Sequence, residues 1–371
     1  MVEVVVAAVQ SVPSKFVVAV QHNARITRFA LPLTPQPKYS HLPAEVQRAA
    51  SLLLSVGADK WITDVVTIDD PIVFSQLSHT EFASKVIGRK IQNVGRYGKY
   101  LYIELDGDGP MPVLHFGMTG LFQIKGENPT YYRKKPKNAS VEWPPKFMKF
   151  VLHLTAEDSK LVTEVAFLDA RRLGRVRLCA SPLDEPPIST LGFDPILSMP
   201  ALDEFMPLVR KRLCPIKALL LDQSFSAGVG NWVADEILYN ARIHPEQRCN
   251  TLTQDQIVSL RTQMIYVCET AVAVNADSEQ FPIHWLFKHR WGKKKEESDI
   301  MTLPNGKPAT IKWITVGGRT SAYVVEMQLL PSVGDTRQVS KLFRFSGHPY
   351  RHKLDWGTGI EHHFKEGKFV Q

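Results

Sequence analysis

The chain has 371 residues, enough to bury a full core and to divide into two domains with appendages. Its 45 Lys and Arg against 37 Asp and Glu leave a formal net charge of +8, which suits a polyanionic partner without establishing one. Cys179, Cys214, Cys249 and Cys268 stand far apart with no C-x-x-C pair, which argues against a disulfide framework and against a zinc site. No apolar run approaches the length that spans a bilayer, so the expectation is a soluble protein of a reducing compartment with no membrane partner.

Residues 1–40 differ in character from the rest: they are poor in acid, carry scattered Lys and Arg, and lack the continuous apolar segment and cleavage site of a secretory signal. An atypical leader is expected there, disordered, transit-like or the product of a wrongly predicted first exon. From Glu45, the apolar positions Val46, Ala49, Ala50, Leu53 and Leu54 recur at helical spacing and Gly57 supplies the stop. Strand-like runs follow at 62–68, 90–94, 100–105, 113–116, 121–124, 149–154, 162–168 and 175–178. Short strands separated by turn signals predict an antiparallel β-sandwich.

A proline-rich link at 181–187 precedes a helical half, with helices expected at 201–213, 216–225, 232–241 and 253–275; Pro207 weakens the first. The change from strands to helices marks the domain boundary. A basic, polar segment at 287–298 follows, and then two β-rich runs within 310–328 joined by Val316-Gly317-Gly318-Arg319, which read as a hairpin. The expected fold class is therefore α+β: an antiparallel β-sandwich with flanking helices at 41–180, a helical domain at 188–285, a hairpin at 305–330 and an unassigned tail at 331–371.

Within the helical half, LLLDQSFSAGVGNWVADEILYNARIHP at 219–245 reads as a helix, a glycine-punctuated turn and a second helix. Ser226, Gly228 and Gly230 precede Asn231, and the glycines are expected to supply positive φ angles and bare backbone for close approach to a phosphate. Val233, Ile237 and Leu238 give the second helix a packing face while its N-terminus stays open. Capping of the second helix by Asn231 is the plainer alternative.

This string resembles the helix-two-turn-helix of the formamidopyrimidine-DNA glycosylase and endonuclease VIII family, and the resemblance extends from about Glu45 to about Leu329. Such a resemblance implies an enzyme that flips a damaged base out of duplex DNA, since the sugar carbon and base edge are otherwise out of reach. It carries particular roles onto particular residues. Lys99, in GRYGKYLYIEL, matches the family's lysine beside the lesion phosphate. Met118, in HFGMTG, matches the side chain pushed into the gap left by the flipped base. In FLDARRLGRVRL, Arg171 matches the arginine facing the orphaned base, Arg172 a structural or phosphate-binding position, and Leu173 the second wedge, where bacterial members usually carry an aromatic. Lys217, Gly230 and Asn231 match the phosphate-binding part of the helical domain, and Glu45 matches the family's helix glutamate. The sequence ITVGGRTSAY at 314–323 resembles the hairpin finger but holds no cysteine, like the zincless finger of the plant and fungal branch, and Arg319 takes the groove-facing place. For each lone cation a solvated surface position is the plainer alternative, and for Met118 ordinary core.

The family's nucleophile is an N-terminal proline, followed by glutamate; its amine attacks the sugar and forms a Schiff base. Aligned on Glu45-Val46, this chain has His41 and Leu42 at those positions, and Pro43 lies within the chain with its nitrogen in an amide. Three readings stay open: a wrongly predicted first exon, a protein that binds damaged DNA without lyase activity, and proteolysis exposing Pro43. Lys99 could substitute only if its amine were lowered from about 10.4 to about 7.5, and nothing in GRYGKY announces that.

The resemblance implies a base-excision repair glycosylase with abasic-site lyase activity, acting as a monomer on double-stranded DNA with oxidised purines, without metal or other cofactor. A silent binder of abasic or damaged DNA is the first rival and an RNA-binding module the second. The expected compartment is the nucleus, with the mitochondrion as alternative; the run from Lys288 to Lys295 reads as a nuclear signal or a DNA-facing patch.

Overall fold

A computed structural model describes residues 10–12, 15–22, 25–32, 43–127, 142–291 and 301–331. Within the leader, β1 (Gln10–Val12), β2 (Lys15–His22) and β3 (Arg25–Pro32) pair as an antiparallel sheet in sequential order. Helix α1 (Pro43–Gly57) and β4 (Trp61–Thr67) open the first large body, followed by α2 (His79–Val86).

The strand-like runs of the sequence are all strands here: β4, β5 (Ile91–Tyr97), β6 (Tyr100–Leu105), β7 (Met111–His115), β8 (Leu121–Ile124), β9 (Met148–Thr155), β10 (Val162–Leu168) and β11 (Arg175–Cys179). They form two four-stranded sheets, ordered β4-β9-β10-β8 and β11-β7-β6-β5, with antiparallel neighbours throughout. Strict alternation explains the sandwich: along β6, Leu101, Ile103 and Leu105 are buried while their neighbours are only half so. Residues from both sheets share one core, including Leu101, Leu114, Phe122, Phe150, Phe167 and Val176, and α1 adds Val46, Ala50 and Leu53.

Besides the leader strands β1–β3, where a disordered, transit-like or wrongly predicted leader is expected, the sequence reading missed helix α2. Its start carries a visible signal, since Ser78 accepts the backbone N–H of Glu81 at 3.0 Å, the Ser-x-x-Glu pattern of a capped helix. With 8 residues it is too short for periodicity to stand out.

The helical half comprises α3 (Leu202–Arg210), α4 (Ile216–Leu221), α5 (Asn231–Asn240) and α6 (Gln254–Ala273) around a separate core that includes Phe205, Leu220, Trp232, Ile237, Leu260 and Trp285. Helix α3 accommodates Pro207. Helix α4 ends earlier than expected because Asp222 turns the chain, its carboxylate accepting from the backbone and hydroxyl of Ser224. Thr253 caps α6 in a reciprocal exchange with Gln256.

Strands β12 (Ile311–Val316) and β13 (Arg319–Val324) form the hairpin, with Val316 opposite Arg319. Gly317 and Gly318 lie at φ 59° and 71°, the two positive angles of a tight type I′ turn. The hairpin buries Ala322 and Val324 in a small cluster with Tyr239, Leu286 and Met327.

Candidate functional site

Two loops of the β-sandwich meet at an exposed ridge. Met118 lies in the turn between β7 and β8 and is 47% exposed, and Leu173, between β10 and β11, is 40% exposed. Gly117 sits at φ 60°, and a Cβ there would come within 2.4 Å of the Leu173 carbonyl carbon, so only glycine permits the two loops to approach this closely. Arg171 donates from its guanidinium to the Met118 sulfur at 3.4 Å and from its backbone to the Thr119 hydroxyl at 3.1 Å. The fully buried Asp169 accepts from the Thr119 hydroxyl and the Gly174 N–H. Met118 and Leu173, matched to the wedges, and Arg171, matched to the arginine facing the orphaned base, thus stand together, with a sulfur, a branched alkyl group and a guanidinium exposed. Arg172 does not join them; at φ 55° it turns back and grips Asp70.

A second group gathers where the β5–β6 turn meets the turn between α4 and α5. Gly98, at φ 56°, is so close to that turn that a Cβ would lie 3.0 Å from the Ala227 Cβ and 3.2 Å from the Gly228 nitrogen. The buried Asp194 holds the β5–β6 turn by accepting from the Arg96 guanidinium, ion-paired with it, and from the Gly98 N–H. Lys99 therefore projects across the junction and donates to the Val229 carbonyl at 3.1 Å. Gln223 braces the same turn, donating to the Val229 carbonyl and accepting from the Gly228 N–H, each at 3.0 Å.

Asn231 opens α5 and donates to the Thr320 carbonyl of the hairpin at 3.0 Å. Helix α5 has Gly230 as N-cap and no side-chain cap, which leaves the first N–H groups without that partner. Gly228 has the expected positive φ of 96°, whereas Gly230 lies at −108°. The second glycine therefore serves the absence of a side chain rather than a left-handed turn.

Burial pushes the Lys99 amine down to about 8, and the charge of Arg319 pushes the same way. GRYGKY announces nothing of this because the shift arises from the distant turn packed over the lysine. Among the described residues neither Lys99 nor Arg319 has an ion-pair partner.

Lys217 departs from its expected place. Its side chain is 0% exposed and ion-paired with Asp235, so it neither meets phosphate nor lies on a helix surface. Burial lowers its amine to about 8 although Asp235 pulls it upward. Asp235 also accepts from Arg290 and from the Ala322 N–H of the hairpin. Arg290 is therefore internal and not part of an exposed basic patch; Lys293 to Lys295 lie outside the described residues. Glu45 is buried in α1, where its charge acts on Arg48. His41 and Leu42 lie outside the described residues.

All four cysteines are free thiols, and no group of three His, Cys, Asp or Glu suited to a metal occurs among the described residues. The residues that sequence reasoning missed are the buried carboxylates Asp70, Asp169, Asp194 and Asp235, and Gln223.

Comparison with known proteins bears on the whole arrangement. The N-terminal domain of formamidopyrimidine-DNA glycosylase matches residues 42–176 and the H2TH domain of the same enzyme matches 191–282. Formamidopyrimidine-DNA glycosylase of Arabidopsis thaliana is 41% identical over 286 residues, covering 77% of this chain and 70% of the relative. That of Thermomicrobium roseum is 30% identical over 266 residues, covering 67% and 85%. The Lactococcus lactis protein, solved in complex with DNA containing an abasic site, shares the fold with a TM-score of 0.62 at 22% identity, over 78% of this chain and 100% of that one. Through both matched domains and the shared fold, the chain belongs to the formamidopyrimidine-DNA glycosylase family of DNA-repair enzymes.

Proposed function

We propose that this protein removes oxidised purines, formamidopyrimidines and 8-oxoguanine, from duplex DNA and cleaves the resulting abasic site through a Schiff base, acting as a monomer in the nucleus without a cofactor. The observation that carries the reading is the convergence of Lys99, Arg319 and the open start of α5 from three separate stretches of chain. Cations held together with no ion-paired carboxylate among the described residues, one of them lowered first by burial and then by its neighbour, form a site whose missing partner is an anion. A DNA phosphate supplies that charge. The ridge of Met118, Arg171 and Leu173 supports the second half of the reading: a slender apolar wedge beside a guanidinium fills the space of an extruded base and reaches the base left behind.

Arg319 then contacts the polyanion. Arg319→Ala is expected to weaken duplex binding and to lower the slope of log affinity against log salt by about 1, measured by fluorescence anisotropy from 50 to 200 mM salt. An unchanged slope would place Arg319 off the DNA.

The lyase step is tested by trapping. Incubation with duplex carrying an abasic site and borohydride is expected to yield a covalent protein–DNA adduct, and digestion then identifies the amine. His41 and Leu42 at the family's Pro-Glu positions favour the second reading, a silent binder. Tight binding without adduct, both for this chain and for one that begins Pro-Glu before Pro43, would decide for that reading.

A further inference from the structure

We propose that Asp70 is the positioning residue of the wedge: through Arg172 it fixes the 169–174 loop so that Arg171 and Leu173 stand beside Met118, and so governs how the base opposite the lesion is sensed. The inference rests on the function proposed above.

Asp70 is itself rigidly placed. It is 3% exposed, lies just after β4, and accepts the backbone N–H groups of Ile72 and Val73 at 3.2 and 3.3 Å. The segment that follows is tied to β11, with the Val176 N–H donating to Val73 at 2.7 Å and the Ser75 N–H to Val176 at 3.2 Å. One carboxylate oxygen takes the Lys149 amine from β9 at 2.8 Å, a pair with both side chains at most 5% exposed. That lysine already compensates the buried charge, so Arg172 is not needed for neutrality.

Arg172 nevertheless engages the carboxylate with two nitrogens, Nε at 3.0 Å and Nη2 at 2.9 Å, in the fork geometry that only arginine offers. The engagement spans 102 residues of sequence. It holds a non-glycine backbone at φ 55°, a conformation that persists only where surrounding contacts impose it. The consequence is directional: with the Arg172 guanidinium tied to Asp70, the neighbouring Arg171 reaches the Met118 sulfur. The Arg172 side chain is 48% exposed, so a merely stabilising surface pair would contribute little. The value of the contact lies in the shape of the loop.

The test uses Asp70→Asn and Arg172→Lys in the full chain. Arg172→Lys keeps the charge, the trypsin site and the buried Lys149–Asp70 pair while removing the fork, so it guards against a folding defect in Asp70→Asn. Both variants are expected to be cut by trypsin after residue 171 or 172 about fivefold faster or more, located by mass spectrometry. Both are expected to lose about five- to tenfold of the preference for a duplex with a tetrahydrofuran abasic analogue over an undamaged one, and of the cytosine-over-adenine discrimination opposite it. Affinity for undamaged duplex falls less than affinity for the damaged one. Unchanged cleavage and unchanged ratios in both variants would overturn the proposal, as would an equal loss of affinity for damaged and undamaged duplex. If the unsubstituted protein shows no preference for the damaged duplex, the function reading and the sensing half of the proposal fall together, and the cleavage rates still decide whether Asp70 locks the loop.

Discussion

Asp235→Asn is expected to lower the free energy of unfolding by about 3–5 kcal/mol, the usual consequence of removing one partner from a buried ion pair, read from urea denaturation. The size follows from what the carboxylate holds. Lys217 is 0% exposed and Arg290 6% exposed in their pairs with it, so the substitution leaves two desolvated cations facing an amide. The damage should spread to the hairpin, because Asp235 also accepts the Ala322 N–H and Arg290 in turn accepts the Trp313 indole N–H through its carbonyl at 2.8 Å. Gly317 packs against α4, where a Cβ would lie 3.1 Å from the Ala218 Cα, which seats the hairpin tip one residue from Lys217. A finger without cysteine is therefore anchored by a buried carboxylate between two cations where a metal would otherwise serve. Two further results are expected of this arrangement. Chelator leaves melting and DNA binding of the unsubstituted protein unchanged, whereas Asp235→Asn loses the Asn231–Thr320 tie and with it the placement of Arg319. A chelator-sensitive finger, or an Asp235→Asn protein of unchanged stability, would refute the anchoring role.

The same logic recurs at each loop that faces the proposed DNA surface. Asp194 fixes the Lys99 turn, Asp70 and Asp169 fix the wedge loop, and Asp235 fixes the hairpin. In a chain of net charge +8, the cations that point outward are placed by carboxylates that point inward. Backbone N–H groups join basic side chains at Asp70, Asp194 and Asp235 and join the Thr119 hydroxyl at Asp169, so the loops are set by directional bonds as well as by charge.

This explains which parts were legible in the sequence. Strands such as Tyr100–Leu105 announce themselves because one neighbour in two is apolar and the sheet needs only that alternation. The turn before Asn231 and the Gly317-Gly318 hairpin are legible because glycine has a local reason to be there. The acids are different: Arg96 and Asp194 are 98 residues apart, and Asp70 and Arg172 are 102 apart. A charged residue read alone is assigned to the surface, whereas Lys217, matched to a phosphate-binding position, and Arg290, in a basic run, are both buried against Asp235. Only the tertiary fold brings each to its partner and buries both.

Lys99 offers the sharpest test of the proposed phosphate site. Its amine is lowered to about 8 from an ordinary 10.5, first by burial and then by Arg319, and a bound phosphate would restore the charged form. Binding in the alkaline range must then take up a proton, so affinity is flat below pH 8 and falls by up to about tenfold per pH unit above it until the amine of the complex titrates. The protein is expected to lose about tenfold or more in affinity for abasic-analogue duplex between pH 7.5 and 9.5. Lys99→Arg should bind without that fall, since a guanidinium stays protonated throughout, and Lys99→Met should be weak and equally flat. Folding stability runs in the opposite direction: a lysine depressed in the folded state opposes folding below its folded value, and that penalty is relieved as pH rises from about 8 toward 10.5. Loss of affinity above pH 8 therefore cannot be ascribed to the Lys99 titration unfolding the protein. A pH profile of the same shape in Lys99→Arg would remove Lys99 from the phosphate contact.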